Sequence, residues 1–172
     1  MANALTDPPF AADPPVKLNV NARILGLVIG ILAAIQAIFT LFVGGLLSVF
    51  TFGIGSAFIW LLGVLIALVA EILAAVGGFQ MYNLNRRGKD YVIYALAIGL
   101  GGAIVVLIGQ LIAYSGLLLY SAGGAVAGLI IDVIIYGVVY YLVVISRFPG
   151  EAPLAPGAGT YRTPPPPPPP SV

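Results

Sequence analysis

Four stretches of the chain, at 22–47, 58–81, 91–114 and 125–145, run on with almost no charge. A bilayer core is about 30 Å thick, so a helix rising 1.5 Å per residue needs roughly 20 apolar residues to cross it. Each stretch meets that length, and four crossings return the chain to the side on which it began. The expected fold is all-α and integral to the membrane: an up-down-up-down four-helix bundle over 22–147, between disordered proline-rich cytoplasmic termini at 1–21 and 148–172. The first apolar stretch begins near Ala22 and outruns the apolar part of a signal peptide, so it is expected to stay in the protein.

Composition closes the soluble alternative. Of 172 residues, 60% are hydrophobic and 8% charged, against about a quarter charged in soluble proteins. Lipid is the solvent such a chain calls for, and the bilayer its first partner. A net charge of +1 makes no field for nucleic acid. Cysteine and histidine are both absent, which removes disulfides, Cys/His metal sites, thiol nucleophiles and the usual near-neutral base. No metal, cofactor or enzymatic activity is expected.

Orientation follows from the seven cations. Lys17 and Arg23 precede or open the first span, Arg86, Arg87 and Lys89 fill the middle connection, and Arg147 and Arg162 follow the fourth. The connections at 48–57 and 115–124 carry no charge. The positive-inside rule then puts both termini in the cytoplasm. Asn19 or Asn21 is a cap for the first helix and Asp90 for the third, while Gly88 supplies the stop after the second.

Helices in lipid associate through close backbone approach and polar contacts. Small residues four apart therefore mark candidate seams: Gly26 and Gly30 in the first span, Ala97 and Gly101 in the third, Gly124 and Gly128 in the fourth. Such seams serve a bundle, self-association or other membrane subunits equally.

Each span also holds one strongly polar side chain: Gln36, Glu71, Gln110 and Asp132. An ionised carboxylate at mid-membrane costs a few kcal/mol, and no Lys, Arg or His lies deep in a span to pair with Glu71 or Asp132. Tyr136 and Tyr140 follow Asp132 on one helix face at four-residue spacing. One reading makes these groups a proton, ion or small-substrate site with Gln and Tyr as relays. The other makes them interhelical glue, each bond contributing about 0.6 to 2 kcal/mol. With no recognisable pathway motif, glue is the more economical account.

Beyond the fourth span the chain runs through Gly and Pro to seven consecutive prolines, Pro164 to Pro170, preceded by Tyr161 and Arg162. Polyproline forms an extended rod that suits an aromatic-lined groove, so a cytoplasmic polyproline-binding partner is the expected ligand of this tail. The function asking least of the sequence is a structural or accessory subunit, or scaffold, of a membrane complex. The alternative is a small homo-oligomeric proton-coupled or ion-conducting protein using the two acids.

Overall fold

The computed structural model describes residues 5–6, 8–11, 14–16, 18–47, 58–113 and 118–150. Four long helices dominate: α1 (Ala22–Phe39), which continues as a π-helix at Thr40–Leu47, then α2 (Phe58–Tyr82), α3 (Arg87–Ala113) and α4 (Leu118–Ile145). All four are long and apolar enough to cross a membrane. Among the described residues there is no strand. Large apolar side chains face outward along the bundle, including Phe58, Ile24 and Leu32, each more than 60% exposed. Only a lipid solvent makes such a surface stable.

The helix ends show which local signals matter. Asn21 caps α1, its Oδ1 accepting from the Arg23 N–H at 2.9 Å. α2 ends in a Schellman arrangement: Asn85 N–H donates to Gln80 O at 2.9 Å and Leu84 N–H to Met81 O at 3.0 Å. The left-handed position is Leu84, with φ 62°, so the expected stop at Gly88 is corrected. Gly88 lies inside α3, which begins at Arg87 rather than 91 because the Asn85 side chain accepts from the Arg87 N–H at 3.1 Å. Asp90 falls in the first turn and is not the cap. α4 likewise begins at Leu118, ahead of the expected 125. Glycines at 123 and 124 do not break a helix whose backbone groups, without water, can bond only within it.

Adjacent glycines in α2 face two different neighbours. Gly78 meets α1, where an added Cβ would lie 2.7 Å from both Gly26 O and Gly30 Cα. Gly77 meets α3, where an added Cβ would lie 2.9 Å from Gly88 O and from Tyr91 Cβ. The Gly26–Gly30 pair is thus a true backbone-to-backbone seam. Along the rest of α2 and α3, Trp60, Gly63 and Ala67 oppose Gly109, Val106 and Gly102. Those positions step by three and then four, the 3.5-residue period that keeps two helices in continuous contact.

This period corrects the expected third-helix seam. Ala97 and Gly101 are exposed, and a Cβ on Gly101 would meet nothing within 4 Å. Spacing of four alone drifts away from a 3.5-residue seam. Gly124 and Gly128 are exposed as well, with nothing within 4 Å of an added Cβ. They pack on no other helix among the described residues.

The most buried side chains gather at the end bearing the cations: Ala22, Met81, Val92, Ile93, Val143 and Phe148. There Ala22 N–H donates to Arg147 O at 2.8 Å and Arg147 N–H to Val20 O at 2.9 Å, tying the start of α1 to the end of α4. Lys89 Nζ donates to Ser146 O and lies 5.5 Å from the Phe148 ring centroid. Arg23 stacks over Tyr82 at 4.9 Å.

Residues ahead of α1 add to this end. A single 3-10 turn, Pro9–Ala11, sets Phe10 6.0 Å from Tyr141 in a stacked pair and 6.2 Å from Tyr140 edge-on. The Tyr141 hydroxyl accepts from Val16 N–H at 3.0 Å and donates to Val16 O at 2.6 Å. Tyr140 donates to Leu5 O at 2.8 Å, and Pro14 is buried. Proline-rich composition signalled no packed core for this segment. It packs nonetheless on a surface that α4 supplies.

Candidate functional site: a polar cavity between the spans

Past the packed end the helices enclose a cavity of about 750 Å³. α1 lines it with Gln36, Thr40 and Gly44, one helical turn apart; α2 with Trp60, Val64, Ala67 and Glu71; α3 with Gly99, Ala103 and Gln110; α4 with Gly124, Gly128, Asp132 and Tyr136. Gln36 stands roughly 21 Å along α1 from Ala22, at 1.5 Å per residue. The site is therefore deep in the apolar part of the chain. Of the six polar residues singled out in the spans, five, Gln36, Glu71, Gln110, Asp132 and Tyr136, share this one cavity.

Glu71 is held from α1. The Thr40 hydroxyl donates to Glu71 Oε1 at 2.8 Å, and the Gln36 amide lies beside the same carboxyl. Glu71 Oε2 is buried with no hydrogen-bond partner. Thr40 is also where α1 changes from α to π winding. The change of winding, which turns the following side chains relative to an α-helix, occurs at the residue that holds the acid. Thr40 escaped the sequence reading, though its position one turn beyond Gln36 was the available signal.

Across the cavity, Tyr136 reaches from α4 to α3: an added Cβ on Gly99 would lie 3.2 Å from its hydroxyl oxygen. A larger residue at position 99 would displace that ring. Tyr136 stands within electrostatic reach of both Asp132 and Glu71. Tyr140, one turn further on, is not in the cavity and serves the amino-terminal contacts instead. The face shared by Asp132, Tyr136 and Tyr140 is therefore divided between two jobs.

Chemically, the arrangement offers two carboxyls, two amides, a phenol and an indole-bearing wall, with no Lys or Arg among the lining residues. Among the described residues no three His, Cys, Asp or Glu side chains converge as metal ligands. Gly26 and Gly30 lie in the packed end, Ala97 and Gly101 on an outer face, and Gly124 and Gly128 on the cavity wall. Tyr161, Arg162, Pro164 and Pro170 lie outside the described residues. No protein-family model matches this chain, and no curated protein or solved structure is measurably similar to it.

Proposed function

We propose that this multi-pass membrane protein binds a small cation in the cavity between its spans and couples that binding to proton release from Glu71 and Asp132. The observation that carries the reading is the convergence of one polar side chain from each of the four helices, with Tyr136, on a single cavity. Glue alone asks these groups to bond one another across helices. Glu71 does bond across to Thr40 and Gln36, but its other oxygen is buried with no hydrogen-bond partner, and both acids line open space. One monocation entering there replaces one proton on Glu71 or Asp132, and that proton passes to water outside the membrane; the polar groups that face the two acids are Gln36, Thr40, Gln110 and Tyr136.

In this proposal the helices alternate in direction and both termini face the cytoplasm. The joint between Val20–Ala22 and Arg147 supports a common side for the first and last spans, and the cations at that end support the cytoplasm. The test is proton flux in vesicles of purified protein, comparing the parent chain with Glu71→Gln and Asp132→Asn. We expect flux from the parent and none from either variant, with assembly unchanged. Loss of assembly in both variants, without flux from the parent, would leave interhelical glue as the better account.

A second reading is an accessory subunit of a membrane complex. Gly123, Gly124, Gly128 and Gly137 on α4 all have open space where a Cβ would stand, a surface on which a further helix can pack closely. Extraction in mild detergent followed by mass spectrometry tests it, with co-migrating subunits at fixed stoichiometry as the expected result. Removing residues 164–172 tests the proline tail in the same way, through loss of a cytoplasmic companion.

A further inference from the structure

The walls of the cavity say more than that a cation fits. α1 packs on α2, α2 on α3 and α3 on α4, while α1 and α4 share no comparable interface. They are joined at the Ala22–Arg147 end, and the cavity lies beyond that joint. Gly124 and Gly128 are at once exposed and part of its lining, so they form a rim without side chains.

The lining joins acidic to apolar and aromatic surface. Phe39, Val64, Leu107 and Trp60 share it with Glu71 and Asp132. A hard divalent ion wants six or more oxygens converging on one point, and among the described residues no three acidic side chains come together to hold one. An anion would meet two acids and no cation. We infer that the cavity takes a lipophilic monocation, an amine or onium ion carrying alkyl or aromatic groups, which arrives sideways from the bilayer through the gap between α1 and α4. This rests on reading the cavity as a cation site. The charge sits by Glu71 and Asp132, the apolar groups lie against Trp60 and Phe39, and the glycine rim admits the molecule.

The chain contains one tryptophan, and it stands in the cavity wall, so its fluorescence reports occupancy directly. The experiment titrates the full chain in bilayer discs with tetraphenylphosphonium, using tetraphenylborate as the size-matched anion. A saturable change with the cation and none with the anion is expected. Glu71→Gln and Asp132→Asn should each weaken the cation's apparent affinity by about tenfold or more, the loss expected for a hydrogen-bonded or paired charge, and Asp132→Glu should restore it. Gly128→Phe, whose Cβ has nothing within 4 Å, should block the rim and weaken binding. Gly137→Phe, equally open but outside the cavity, should leave binding unchanged.

Equal responses to cation and anion, or unaltered affinity in both acid variants, would overturn the assigned ligand class. An unaltered Gly128→Phe variant would overturn the sideways route. Proton flux that needs Glu71, with no response to tetraphenylphosphonium, would defeat this inference and leave the small-cation reading intact; absence of both defeats the two together.

Discussion

The inner helices of this bundle and α4 use the same small residues to opposite ends. On α1, α2 and α3, Gly26, Gly77, Gly78 and Gly88 at the cation-bearing end, and Gly63 and Gly109 further along, let backbones touch, and a Cβ on any of them would collide. On α4, Gly124 and Gly128 border open space. Glycine in a membrane helix is therefore a device for closeness only when another backbone arrives. Where none does, it leaves a hole. The packed end also recruits loop and terminal contacts, from the Lys89–Ser146 bond to the Val16–Tyr141 pair, whereas in the cavity half Glu71 is held by side chains of the first span, Thr40 and Gln36.

The sharpest way to break the contrast is Gly78→Val. Its Cβ would meet the backbone of both Gly26 and Gly30, and overpacking against backbone that cannot yield should cost about 3 kcal/mol. Thermal unfolding in detergent should show a large drop, while Gly101→Val, made in open space, should show none.

Thr40→Val probes the cavity half. It removes the Thr40 hydrogen bond to Glu71 Oε1 and leaves Gln36 beside a carboxyl whose Oε2 already has no partner. The loss should be about 1 to 2 kcal/mol, smaller than at Gly78 because no backbone is displaced. An equal loss in the two variants would mean the cavity half is as tightly built as the packed end.

Two finer predictions concern the packed end. Tyr141→Phe removes both bonds to the Val16 backbone; about 1 kcal/mol should be lost locally, seen as faster hydrogen exchange at the Val16 amide with the unfolding temperature of the spans unmoved. Leu84→Gly should raise stability by about 1 kcal/mol, since Leu84 holds a left-handed conformation that costs a side chain roughly that much. No gain there would mean that exposed Leu84 has contacts worth as much as the strain.

Much of the architecture was legible in the residue order because lipid imposes a length rule and a charge rule that each span obeys on its own. The start of α1 at Ala22 and of α2 at Phe58, and the end of α4 at Ile145, coincide with the expected limits. Local capping was harder to read: Asn85, not Asp90, opens α3, and Leu84, not Gly88, closes α2. Gly88 signals a stop in sequence but is needed where it stands for the approach of Gly77 and Met81.

By itself, then, the sequence determined that this chain forms four membrane-length helices, that its cations flank those helices, and that each span carries a strongly polar side chain well inside it. Those properties belong to single segments and follow from the transfer of residues into lipid. Tertiary structure alone decided that the polar groups meet in one cavity, that Thr40 holds Glu71, that Tyr136 joins the site while Tyr140 leaves it, and which glycines are seams. Each of these depends on helix rotation and on a period of 3.5 rather than four, quantities set by the contact of one helix with another and absent from any helix taken alone.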